Sequence, residues 1–215
     1  MMYQAVIFDF DDTLVESRVL KWAQHKYVAK KFYNLDLSDE EIRKHYGKPL
    51  NQLIADLYQN SDTTENIHKV IASVRNDYLK KVYVEAPGVL KKLLSNNIKV
   101  GIVSATNKNY LVDDLDRLDF PVNDFFIIQG SDEVSAHKPE PGVFFPALDI
   151  LSKIGIKKDQ IVYIGDSLDD LKAAHGAGID FIGLTTGLYK EEEFKAHGAK
   201  VVLSRVGEVL DFILK

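Results

Sequence analysis

At 215 residues the chain can bury one sizeable core, or a core with a smaller second unit, and its 46% hydrophobic and 27% charged content is that of an ordinary globular protein. A net charge of -5 with no long basic tract offers nucleic acid no footing, and the lack of cysteine excludes disulfides, thiolate metal sites and cysteine nucleophiles. No apolar run is long enough to cross a bilayer and no basic, then long apolar, leader opens the chain, so a cytoplasmic protein without membrane contact is expected.

The first predicted element is a short buried strand, Ala5–Phe8, which empties into Asp9, Asp11 and Asp12. Side chains two apart on an extended chain share a face, so Asp9 and Asp11 can converge on one object. A hard cation with oxygen ligands, Mg²⁺ above all, would suit them, although a solvated acidic turn at a strand end reads the same way. From Glu16 to Val84 no strand is convincing and helical patterns dominate. Ser38 and Glu41 fit a capping box, and Gly47 and Pro49 supply a stop. Leu50, Leu53, Ile54, Leu57 and Tyr58 then form one helical stripe. Ile67, Val70, Ile71, Val74 and Tyr78 form another, after a cap at Asp62-Thr63-Thr64.

Strand-like runs resume at Val100–Val103, Phe125–Gln129, Ile161–Ile164, Phe181–Leu184 and Val201–Leu203, separated mostly by helical stretches. That alternation predicts an α/β fold with a mainly parallel, Rossmann-like sheet. Residues 1–15 and 85–215 would form this core, with residues 16–84 inserted as a small helical bundle. Between Pro141 and Leu148 the reading conflicts with itself. Pro141 suits a helix start, but Pro146 then falls too deep, so the helix is kinked or begins later.

Ligands of such sheets bind beyond the carboxyl ends of the strands, where Asp9, Ser104 and Asp166 lie. Ser104-Ala105-Thr106 follows the second strand, and a hydroxyl with free helix N-terminal amides makes a phosphate cradle. A plain helix cap needs the same geometry. Gly165-Asp166-Ser167-Leu168-Asp169-Asp170 follows another strand and brings further carboxylates to the same edge.

Asp9-Phe-Asp11-Asp12-Thr13-Leu14, Ser104-Ala-Thr106, Lys138 before Pro139, and Gly165-Asp166 with its trailing acids stand in an order that resembles the haloacid dehalogenase-like superfamily. The resemblance spans essentially the whole chain, and the insertion at 16–84 matches that family's α-helical cap. It implies a Mg²⁺-dependent phosphatase, phosphoglycolate phosphatase-like, that hydrolyses a small phosphorylated metabolite. The kindred β-phosphoglucomutases share every core residue, and a silent phospho-ligand-binding member is the remaining alternative. Asp9 would be the nucleophile and Asp11 the acid and base, its backbone carbonyl joining Asp9 and Asp166 on the metal. Ser104, Ala105, Thr106 and Lys138 would hold the phosphoryl group, and Thr13 and Asp170 would support the site.

Asp170 matches the spacing of the family's trailing acid better than Asp169. Asp12 stands where the family's commonest form has Gly, and its side chain either caps a local amide or takes part in catalysis. In the cap, Arg43 and Lys48 are candidate specificity cations, though a solvated helix end would look alike. No nucleic-acid partner is expected, and the protein would be a monomer or homodimer.

Overall fold

The computed structural model describes residues 3–46, 48 and 50–214, so the expected stop at Gly47 and Pro49 lies outside the described residues. The chain begins with β1 (Ala5–Phe8) and a short β2 (Val15–Glu16) and then enters four helices, α1 (Arg18–Tyr33), α2 (Asp39–His45), α3 (Leu50–Leu57) and α4 (Thr64–Ser73). It returns through β3 (Lys81–Val82), which pairs antiparallel with β2. From there the order is α5 (Ala86–Ser95), β4 (Lys99–Val103), α6 (Lys108–Arg117), β5 (Ile127–Gln129), α7 (Phe145–Lys153) and β6 (Ile161–Gly165). The chain ends with α8 (Leu168–Ala177), β7 (Asp180–Leu184), α9 (Glu191–Ala196), β8 (Val201–Leu203) and α10 (Val209–Ile213).

Contacts divide the chain into two compact units, residues 1–16 with 81–215, and residues 17–80. The first holds a six-stranded parallel sheet in the order β5-β4-β1-β6-β7-β8. Successive residues of β1 face opposite sides of this sheet. Val6 and Phe8 pack with Ile102, Ile164, Leu90 and Leu111 on one face, while Ala5 and Ile7 pack with Tyr163, Phe144 and Ala174 on the other. With both faces covered, central strands read as continuous apolar runs, which is why they were visible in the sequence. The order runs outward from β1 in both directions, so β1, β4 and β6 flank the point where ligands of open α/β sheets bind.

The conflict at Pro146 resolves as a later start. Pro141–Phe144 forms a 3₁₀ turn and α7 begins at Phe145, placing Pro146 in its first turn, where a missing N–H costs nothing. The strand expected from Phe125 starts at Ile127, because Val122–Asp124 winds into a 3₁₀ turn just before it.

In the second unit, Ser38 and Glu41 form the expected capping box, and Thr63 accepts from the Asn66 amide at the head of α4. Leu53, Ile54, Leu57, Tyr58 and Ile67 are buried with Val28, Ala29 and Ile42, whereas Leu50, at the first turn of α3, is exposed. The second stripe is shorter than expected. α4 ends at Ser73 and a 3₁₀ turn at Arg75–Asp77 carries Tyr78 off its face to stack near Tyr27, ring centroids 6.1 Å apart.

His25 lies against Tyr58 in this unit, its Nδ1 3.1 Å from the Tyr58 hydroxyl. Burial, then the charges of Lys21 and His68, push its imidazole down to about 4. The unfolded chain therefore takes up the proton first as pH falls. This contribution to stability is complete above the ordinary histidine value and lost on the way down to about 4. On the order of 2 kcal/mol is at stake for a partly buried ring. Amide exchange in α1 and α3, corrected for intrinsic rates, should lose protection between pH 7 and pH 4.5, and His25→Phe should flatten that loss. Protection that is constant in the wild type would contradict the assignment.

Candidate active site

Asp9 extends β1 by one residue, its amide donating to the Ile164 carbonyl at 2.8 Å, and its side chain is buried beyond the sheet's carboxyl edge. A tight turn follows, in which the Phe10 carbonyl accepts from Leu14 at 2.9 Å and from Val15 at 3.2 Å. Asp12 occupies the turn with φ of 54°, a left-handed conformation that Asp tolerates better than most side chains and Gly best of all. Its amide donates to Val15 at 2.7 Å, and its carbonyl accepts the Thr186 hydroxyl. Thr13 is fully buried, with its hydroxyl 3.4 Å from Asp166 Oδ1.

Lys138 reaches in from the segment after β5, and its ammonium donates to Asp9 Oδ1 and Asp170 Oδ1, each at 2.7 Å. Asp170 is buried in the first turn of α8. There Ser167 donates to Asp170 Oδ2 from its amide at 3.0 Å and its hydroxyl at 2.6 Å. The chain can turn so closely because residue 165 is glycine, since a Cβ there would stand 2.6 Å from Asp170 Cγ. Asp169 points elsewhere, its nearest cation being Lys172 at 3.8 Å.

After β4, Ser104 is buried and its hydroxyl accepts from the Thr106 amide at 3.0 Å. Asn107, the N-cap of α6, accepts from Asn109. Two groups expected to face a phosphate thus engage each other first, although the Ser104 hydroxyl proton is still available to an anion. Thr106 donates its own hydroxyl to Asp11 Oδ2 at 2.5 Å. Ala105 is exposed between them. In the helical unit Arg43 is exposed on α2, and Lys48 donates to Asp56 at 2.7 Å and lies 3.0 Å from His45 Nδ1.

Carboxylate oxygens of Asp9, Asp166 and Asp170 all lie within 4.8 Å of one another. Both oxygens of Asp170 are committed to Lys138, Tyr163 and Ser167, which makes it the counter-ion of Lys138 and leaves Asp9 and Asp166 as donors. Burial raises the Asp9 carboxyl to about 7 despite the neighbouring Lys138 charge. Burial and the charges of Asp170, Asp9 and Asp12 raise Asp166 as well. An all-oxygen cluster this short of positive charge fits a hard divalent cation such as Mg²⁺.

The family profile for haloacid dehalogenase-like hydrolases matches residues 6–184. The chain belongs to this family. A phosphorylated carbohydrates phosphatase of Thermotoga maritima is 26% identical over 217 residues, 98% of each chain. The pyrophosphatase PpaX of Bacillus pumilus is 25% identical over 209 residues, 97% of this chain and 95% of its own. The crystal structure of CbbY from Rhodobacter sphaeroides in complex with phosphate superposes with a TM-score of 0.79 at 22% identity, over 97% of this chain and 96% of that one, a likeness of fold.

Two parts of this hydrolase's site escaped the sequence reading. Tyr163, in the middle of β6, places its hydroxyl 2.5 Å from Lys138 Nζ and 3.1 Å from Asp170 Oδ1. The loop after β7 touches both the Asp12 turn, through Thr186, and Asp166, through Gly187, where an added Cβ would stand 2.0 Å from Asp166 Oδ2. An aromatic inside a strand reads as packing and a glycine after a strand reads as a turn, so neither carried a signal. Among the described residues no helix is long and apolar enough to cross a membrane.

Proposed function

We propose that this protein is a Mg²⁺-dependent phosphatase that hydrolyses a small phosphorylated metabolite through a phosphorylated Asp9. The observation that carries the reading is the buried contact of Lys138 with Asp9, at 2.7 Å, beside Asp166 and Asp11 at the sheet's switch point. Asp9 attacks phosphorus in line as the ester P–O bond breaks, and Lys138 offsets the charge gathering on the phosphoryl oxygens. Asp11, oriented by Thr106, gives its proton to the departing alkoxide. In the second half it takes a proton from water, which attacks phosphorus and breaks the bond to Asp9. Ser104 and the backbone near Ala105 and Thr106 hold the non-reacting phosphoryl oxygens. Asp9, Asp166 and the Asp11 carbonyl would hold Mg²⁺, which supplies charge neutralisation between carboxylate and phosphate.

The names of the relatives favour a phosphate or anhydride bond as the target without choosing among substrates. Phosphate release should therefore be screened on sugar phosphates, phosphoglycolate, nucleoside monophosphates and pyrophosphate. At least one is expected to turn over with Mg²⁺ and to lose more than ~10²-fold in rate with EDTA, the usual scale of electrostatic help at phosphorus. Undiminished turnover in EDTA, or none on any compound, would refute the reading. Transfer of label back to a sugar bisphosphate would point to a mutase instead.

We further propose that residues 17–80 form a specificity cap. Arg43 is the better of its two candidate cations, because Lys48 already pairs with Asp56. Arg43→Ala should lower kcat/KM for the true substrate several-fold more than for p-nitrophenyl phosphate, whose good leaving group gains little from remote contacts. Equal losses would take Arg43 out of recognition.

A further inference from the structure

Tyr163 is the third residue of β6, fully buried on the face that also carries Ile7, Phe144 and Ala174. Packing alone would be met by phenylalanine there, since the ring already stacks edge-on against Phe144 with centroids 4.6 Å apart. The hydroxyl therefore needs its own reason, because a buried phenol without partners costs a few kcal/mol. Its partners are not incidental. It lies 2.5 Å from Lys138 Nζ, 3.1 Å from Asp170 Oδ1 and 3.1 Å from the Val103 carbonyl.

An ammonium has three N–H donors and no acceptor. Lys138 directs one to Asp9 and one to Asp170, each at 2.7 Å, and the third to Tyr163. A phenol that accepts from the lysine must send its own proton onward, to Val103 or Asp170. Asp170 is fixed in turn by Ser167 and by the close approach at Gly165. Lys138 is thus held from below by a neutral group anchored in the central sheet and from the side by a carboxylate anchored in α8. A long flexible side chain is thereby kept pointing at Asp9.

We propose that Tyr163 is a positioning residue for Lys138, its hydroxyl holding the ammonium against Asp9 and the phosphoryl group. This inference rests on the phosphatase reading and adds to it a residue in the sheet interior. Because Tyr163 acts through the lysine, it should matter to phosphoryl transfer whatever the leaving group, and only while the lysine is present.

The test is Tyr163→Phe, assayed on p-nitrophenyl phosphate and on an alkyl phosphate that the wild type hydrolyses. Loss of one hydrogen bond to a charged group predicts a fall in kcat of about tenfold, by the same factor on both substrates. KM should change by less than about threefold, and inhibition by vanadate should weaken in step with kcat. The melting temperature is a control for folding. In a Lys138→Met background, adding Tyr163→Phe should leave vanadate affinity where Lys138→Met alone puts it. Wild-type kcat in Tyr163→Phe would overturn the inference, as would a loss that persists undiminished without Lys138. Either result, in an active wild type, leaves the phosphatase reading standing. A wild type inactive on every ester would remove that reading and the inference together.

Discussion

Asp9→Asn is expected to abolish phosphate release, by at least ~10⁴-fold, while the protein stays folded. Loss of a covalent nucleophile typically removes this much or more, because no other group can take up the phosphoryl transfer. The fold should not suffer, for an electrostatic reason. Asp9 is a buried carboxylate raised to about 7 by desolvation and crowded by Asp170 and Asp11. A neutral amide of the same shape relieves that crowding, and Lys138 keeps Asp170 and Tyr163 as acceptors. Without metal the variant should melt at or above the wild-type temperature at pH 8. Phosphate assays and thermal melts on the same preparation check both halves. A tenth of wild-type activity, or a variant that fails to fold, would contradict the argument.

Lys138→Ala is expected to damage both chemistry and stability. It removes an ammonium that contacts both Asp9 and Asp170, at 2.7 Å each. Turnover should fall by roughly 10³-fold on good and poor leaving groups alike, since the lysine acts on the phosphoryl group that all substrates share. Stripping a buried ion pair of one partner typically costs about 3–5 kcal/mol, here because two acids keep their burial and lose their counter-charge. The sign with pH follows. Asp9, whose carboxyl burial raises to about 7, binds its proton more tightly when folded, so stability is gained as pH falls through that value and lost as it rises. The variant's deficit in melting temperature against wild type should therefore be large at pH 8 and shrink towards pH 5, the metal-free protein being used throughout. A deficit that did not depend on pH would place the lysine's structural role elsewhere.

The parts of this fold legible in the sequence were those where one physical cause dominates. β1, β4 and β6 are buried on both faces, so Ala5–Phe8, Val100–Val103 and Ile161–Ile164 read as apolar runs whatever surrounds them. The acids that follow stand out because buried strands have no use for charge. Other features depended on neighbours distant in the chain. That Thr106 would donate to Asp11 across 95 positions rather than face outward follows from how two loops meet, and no local pattern encodes that. Tyr163 was hidden by its own suitability for a strand. Asp170 could be preferred over Asp169 only on spacing until the capping box with Ser167 turned it towards Lys138. Lys48 read either as a specificity cation or as part of a solvated helix end, and its pairing with Asp56 on the next helix of the same unit was not visible locally.

The central claim is that Asp9 becomes phosphorylated during turnover. Acid quenching within the first turnovers, then borohydride reduction, converts an acyl phosphate to the corresponding alcohol and marks the residue that carried it. Mass spectrometry of the proteolysed protein should then find homoserine at position 9, dependent on substrate and absent from Asp9→Asn. An unmodified Asp9 in enzyme quenched during active turnover, with phosphate accumulating at the same rate, would contradict the account.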